Sequence, residues 1–303
     1  MIKFVDQFPN PSRHRFDKSE WHDAHGKASV IIHCESNAVS FPRHWGPLSL
    51  KTTLQGNEYY VTDPGVFKVS PSNFLILNED THYSSFIPAG SHAESLTINF
   101  GSIFLDGMHT FLEANDAKRL DNPFSDQFAR SKFPEHIHPH HERVFPHIRK
   151  IGRLILHFNA HAHRIEEELS FLYEGLLRFR AGMNRRVSKI NAKKPATREE
   201  IHRRIHVARD YMDACFTDDI SLARLSGIAC LSPHHLLRQF KSFFKITPRQ
   251  YLIRKRLEEA CALLIRTDLK VSDVCRRVGF EDRSSFSRLF TAYYKQSPSE
   301  FRS

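Results

Sequence analysis

The stretch VGFEDRSSFSRLF (278–290) sets Arg283, Ser284, Ser287 and Arg288 among the apolar residues Phe286, Leu289 and Phe290. The apolar three recur at helical spacing, so the arginines and serines share the other face. Small residues let a helix approach a partner closely, and a guanidinium offers paired donors to a guanine edge or a phosphate. A second set lies fifty residues upstream, in LSPHHLLRQFK (231–241): Ser232, His234, Leu237, Arg238 and Lys241, opposite Leu236 and Phe240. Its chemistry is again donation to an anion or a base edge. Leu237 is the exception, because it can offer only an apolar contact, such as one to a thymine methyl.

A repeat places both sets. LLRQFKSFFKITPRQY from Leu236 aligns with FSRLFTAYYKQSPSEF from Phe286, pairing Arg238 with Arg288, Phe240 with Phe290, Lys245 with Lys295 and Pro248 with Pro298. Upstream, Leu225 falls on Cys275 and Ser232 on Asp282, and the last two are good helix caps. Each copy reads as a short helix, a turn and a second helix. In the second copy Gly279 suits the left-handed residue that ends one helix, and Asp282 caps the next. This is helix-turn-helix spacing, which lays the second helix in a major groove. Between the copies, PRQYLIRKRLEEACALL (248–264) has core positions Tyr251, Leu257, Ala260, Cys261 and Leu264 and predicts one connecting helix. It would hold the two reading helices in successive grooves, about 34 Å apart. Lys245 and Lys295 each follow a helix and precede a Ser/Thr-Pro turn, a place for left-handed backbone.

Charge agrees with an anionic partner. The 303 residues carry a net +10, but residues 183–303 hold 25 Lys+Arg against 13 Asp+Glu, while residues 1–182 hold 19 against 21. A near-neutral first part joined to a basic last part points to a sensing or assembly domain fused to a polyanion binder. There is no apolar run of membrane-spanning length and no signal peptide, so the expectation is a cytoplasmic protein with no membrane partner. The five cysteines are scattered without a CxxC pair, which argues against disulfides and a cysteine zinc site.

The first hundred residues read as antiparallel β: 28–34, 48–54, 58–62, 66–70, 73–78 and 94–100 are short, rich in β-branched or aromatic residues, and separated by turn signals. They imply a small barrel or a double sheet. On it, His33, His82 and Tyr83 are the candidates to line an effector pocket, with strand-end packing the alternative. Residues 121–142 read as a His-rich loop; solvated histidines are the expectation, with no metal or cofactor, and the alternative is a metal held by HIHPHH (136–141) with His147, His157, His161 and His163. Two helices follow. In the second, Ile165, Leu169, Leu172, Leu176, Phe179 and Met183 step by four and three, as in a coiled coil; the stripe either pairs two copies into a homodimer or covers the chain's own sheet. The division is then 1–120 for sensing, 121–183 for the loop and helices, 184–197 as a basic linker, and 198–303 as an all-helical DNA-binding domain.

At residues 198–303 the sequence resembles the DNA-binding domain of the AraC/XylS family of bacterial transcription regulators. The likeness is carried by LSPHHLLRQFK, YLIRKRLEEACALL, VCRRVGFEDRSSFSRLF and SPSEFR, in order and at the family's spacing. It departs at Lys245 and Lys295, where the family has glycine, at Ser226, where it has alanine, and at Leu237, where it has a polar residue. The resemblance implies a non-enzymatic regulator that grips double-stranded promoter DNA, engages RNA polymerase if it activates, and responds to a small-molecule effector. It also implies a cupin-like N-terminal barrel, to which VSPSNFLILNEDTHY (69–83) is the best local match. Two other classes remain open: a metal-cupin enzyme fused to a DNA-binding module, which would need a histidine pair and a glutamate on the barrel, and an architectural DNA-binding protein without a ligand.

Overall fold

Alternation along LSLKTTL and ESLTINF gives each strand two unlike faces, and both faces find cover. The computed structural model describes residues 2–6, 27–63, 65–79, 81–114, 132–188, 190 and 194–302. They fall into two units, one of residues 1–63 and 67–191, the other of 192–303 with 64–66.

In the first unit, strands β1 (Ile2–Val5), β2 (Ser29–Asn37), β9 (His92–Asn99), β4 (Ser49–Gly56), β7 (Asn73–Leu77) and β10 (Ile137–Pro139) form one sheet in that order. Strands β3 (Ser40–His44), β8 (Tyr83–Phe86), β5 (Glu58–Thr62) and β6 (Gly65–Val69) form a second. Among the described residues these are two open sheets, so the expected cupin-like barrel is corrected to a double sheet. Short alternating strands serve either architecture, and here no pairing closes β1 onto β10 or β3 onto β6. Leu75, Leu77 and Ile137 of the first sheet pack on Tyr60, Phe67, Val69 and Tyr83 of the second. The neighbouring Phe74 and Ile76 point the other way, with Ile31, Leu50, Leu96 and Ile98, into a core shared with helices. Burial on both faces explains why β7 reads as the unbroken apolar run NFLIL.

Those helices are α1 (Ser102–Ala114), α2 (Phe145–Leu154) and α3 (Phe158–Val187). Ile165, Leu169, Leu172 and Leu176 are fully buried in the helix–sheet core, and Phe179 packs against Phe74 and His138. The stripe therefore covers the chain's own sheet and is not a free dimer seam; burying each leucine contributes about 1.5–3 kcal/mol. Gly175 admits the Arg143 carbonyl 2.2 Å from where a Cβ would stand, pinning the segment before α2 against α3.

The His-rich segment differs from the expected loop. Residues 121–131 lie outside the described residues, but Ile137–Pro139 pairs antiparallel with β7. His136 and His138 are buried, and His138 sits against Phe74 and Phe179. The linker is also shorter than predicted, since α3 runs to Val187 and the next helix opens at Pro195.

The second unit is helical: α4 (Pro195–Ala214), α5 (Leu222–Ile228), α6 (Pro233–Phe244), α7 (Pro248–Arg266), α8 (Val271–Arg277) and α9 (Arg283–Tyr294). The connecting helix α7 serves both copies. Tyr251 packs on Phe240 and Phe244 of the first, while Leu257, Ala260 and Leu264 join Val274, Phe286 and Phe290 in the core of the second. Among the described residues no helix is long and apolar enough to cross a membrane.

Candidate nucleic-acid interface and inter-sheet cavity

Caps and turns set the two outer helices as the repeat predicts. Ser232 caps α6 by accepting from the His235 amide, and Asp282 caps α9 by accepting from Ser284 and Ser285. The bonds from Ser285, then that from the Ser284 amide, hold the Asp282 carboxyl below its usual range, so it stays an ionised cap. Gly279 is left-handed at φ 82° and touches the Thr217 backbone so closely that a Cβ would lie 2.6 Å from its carbonyl oxygen. Lys245 and Lys295, the C-caps, are left-handed at φ 65° and 64°.

Leu236 and Phe240 are buried on the inner side of α6, as are Phe286 and Phe290 on α9. Ser232, His234, Leu237, Arg238 and Lys241 are all exposed, and so are Arg283, Ser284 and Arg288; Ser287 is half-buried. The helical members of the first set fall at i, i+3, i+4 and i+7, one continuous stripe. Thr291 holds in α9 the place of Lys241, is exposed, and was missed by the sequence reading although the repeat offset points straight to it. Several other cations of the unit are paired: Arg203 and Arg204 with Glu200, Arg254 with Glu258, Arg276 with Asp273. Among the described residues no carboxylate is within ion-pairing distance of Arg238, Lys241, Arg283 or Arg288. The two outer faces therefore present cations without an ion-pair contact, Arg288 feeling only the nearby Asp282 cap, on helices that can lie against a flat or grooved anion.

Between the sheets of the first unit lies a cavity of about 40 Å³, lined by Cys34, His44, Lys51, Glu58, Tyr60 and Tyr83 among others. Of the three candidates for this role only Tyr83 lines it. His33 points away from it and bonds Glu94 at 2.7 Å, and His82 is exposed ahead of β8. Lys51 and Glu58, both buried, are the charged residues the sequence reading missed. Two hydrogen bonds cross from sheet to sheet: Lys51 Nζ donates to the Tyr83 hydroxyl at 3.0 Å, and the Ser95 hydroxyl donates to Glu58 at 2.7 Å. Burial first, then the neighbouring Glu58 and Tyr83, hold the Tyr60 hydroxyl well above its ordinary range, so it remains a neutral donor.

Residues 225–303 match the family described as a helix-turn-helix domain. The chain is 37% identical over 93 residues to a probable transcriptional regulator, LumQ, of Photobacterium leiognathi, covering 31% of this chain and 38% of that protein. It is 35% identical over 99 residues to the HTH-type transcriptional activator RhaS of Enterobacter sp. (strain 638), covering 33% and 36%. Among solved structures it is similar to the C-terminal domain of the two-component response regulator yesN from Fusobacterium nucleatum subsp. nucleatum, at 35% identity and TM-score 0.31, over 32% of this chain and 95% of that one. The matched region thus spans little more than a third of the curated relatives' own length. The C-terminal part of the chain carries a helix-turn-helix domain of the AraC type.

Proposed function

We infer that the chain is a transcription regulator: α6 and α9 of its AraC-type domain enter successive major grooves of promoter DNA, and its inter-sheet cavity receives a small effector. The observation that carries the reading is the pair of capped helices, equivalent by repeat, whose outer cations lack a carboxylate in ion-pair contact among the described residues. His234 and Arg238 read the first half-site, with Leu237 favouring a thymine, and Arg283, Ser284 and Arg288 read the second. Ser232, Lys241 and Ser287 approach the backbone. RNA polymerase is the further partner if the protein activates.

The test is DNA binding by the full chain across salt, with selection of randomised operators. Neutralising about six to ten phosphates predicts a loss of roughly three to five decades of affinity between 50 and 200 mM salt. Alanine at a base-reading arginine, Arg238 or Arg288, costs about 1–3 kcal/mol and relaxes one position of the selected motif; at a phosphate-bound one it weakens every sequence and shallows the salt slope by about one. Wild type, Arg238→Ala, Arg288→Ala and Leu237→Ala selecting one motif with equal stringency would overturn the reading residues, and salt-insensitive binding would overturn the interface.

A further inference from the structure

We propose that the inter-sheet cavity takes a small carboxylic acid bearing an adjacent hydrogen-bond donor, its carboxylate on Lys51 and its amino or hydroxyl group on Glu58. The proposal rests on the reading above, in which the cavity is the effector site, and it names the chemistry that site selects.

Lys51 is only 4% exposed. An ammonium has three N–H donors, and here one of them meets the Tyr83 hydroxyl while no carboxylate lies within ion-pairing distance among the described residues. Glu58 is 5% exposed and accepts from the Ser95 and Tyr60 hydroxyls, which leaves a carboxylate lone pairs for a further donor. Each ion thus bonds neutral hydroxyls and not its opposite, although both line one space. Buried charges held apart cost folding free energy, and a pairing that bridges them removes the cost only when a ligand supplies the missing partners. An anion on the lysine and a donor on the glutamate are those partners.

The strands fix the spacing. Lys51 on β4 sits in register with Thr97 on β9, which is in turn in register with Ile32 on β2, and Ser95 is two residues from Thr97 on the same face. Across the gap, Tyr60 on β5 is in register with Ser85 on β8. Lys51 is therefore rooted in one sheet and Glu58 in the other, with hydroxyls between them. About 40 Å³ holds roughly three water-sized groups, which limits the ligand to a handful of heavy atoms and excludes a long acyl chain. Tyr60, kept neutral, gives its one proton to Glu58 and so does not compete for the lysine.

The experiment is titration calorimetry on the full chain with glycolate, glycine, acetate and glycolamide, repeated on Lys51→Met, Glu58→Gln and Ser85→Phe. The expected result is saturable binding of glycolate or glycine. Glycolamide, lacking the anion, should bind about ten- to a hundredfold more weakly, the ratio carried by a hydrogen bond to a charged group. In Lys51→Met the glycolate affinity falls to that of glycolamide, and in Glu58→Gln the advantage over acetate shrinks. Lys51→Met is close in shape and removes a buried unpaired charge, so the empty variant should melt at or above wild type, which establishes that it is folded. Ser85→Phe fills the cavity and should abolish binding. Glycolamide binding as tightly as glycolate, with both lost in Ser85→Phe, overturns the carboxylate assignment and leaves the cavity as the effector site. Binding indifferent to Ser85→Phe and Lys51→Met overturns both. No saturable binding by any probe up to about 10 mM overturns the proposal.

Discussion

Replacing Lys295 by glycine should stabilise the C-terminal unit, whereas replacing Ala292, three residues earlier, should destabilise it. Lys295 ends α9 at φ 64°, ψ 9°, where a side chain crowds the following carbonyl by roughly 1–2 kcal/mol and glycine does not. Glycine gives back about 0.4–1 kcal/mol through its freedom in the unfolded chain. Lys295 Nζ also donates to the Ala292 carbonyl at 3.0 Å, a small exposed capping bond that both Lys295→Gly and Lys295→Ala lose. Lys295→Gly should therefore exceed Lys295→Ala by about 0.5–1 kcal/mol, the reverse of the helix-interior preference of about 1 kcal/mol for alanine that Ala292→Gly measures. In a domain of this size 1 kcal/mol is about 4 °C, readable by calorimetry of the full chain. Lys245 ends α6 in the same way, at φ 65°, and its Nζ donates to the Ser242 carbonyl at 2.7 Å, so Lys245→Gly should behave alike. If Lys295→Gly melts below Lys295→Ala, the C-cap is not left-handed in solution and the reasoning fails.

Leu172→Ala, at a fully buried helix position, should cost about 2–5 kcal/mol of stability in the N-terminal unit with no change in sedimentation; dissociation of a dimer without loss of stability would restore the seam. His202 is buried beside His206 and Phe243, and burial first, then Arg209, pushes its imidazole down to about 4. The folded state then binds fewer protons than the unfolded, so stability is full above about pH 6.5 and is lost as pH falls towards 4, by at most roughly 3 kcal/mol. Urea titrations across that window should show the slope in wild type and a shallower one in His202→Gln; equal slopes would remove His202 from the acid response.

What the sequence reveals depends on how many constraints bear on each residue. The C-terminal unit was legible because every core position is stated twice, at Leu236 and Phe286 or Phe240 and Phe290, and because Gly279, Ser232 and Asp282 mark their turns by chemistry. The stripe on α3 showed its burial but not its cover, since a sheet face and a second helix ask for the same leucines. Lys51 and Glu58 escaped because an alternating strand labels its polar face as solvent, whereas a second sheet lies over it. Helix α1 was missed because Ile103 and Phe111 are exposed while Leu105 is buried, which blurs the amphipathic pattern. Strand β10 was hidden by a run of histidine and proline, residues that declare a loop until β7 supplies the hydrogen bonds.

Helix α7 lends side chains to both cores, and that makes it an angular ruler. One inserted residue in its middle would turn everything beyond it by about 100° and advance it by about 1.5 Å, leaving each helix-turn-helix folded but the second pointing away from where the first expects it. DNA has its own ruler of about 10 base pairs per turn. Two stiff rulers laid side by side stay in phase only if neither is recut, so the distance between the halves of an operator would be inherited more strictly than the bases within them.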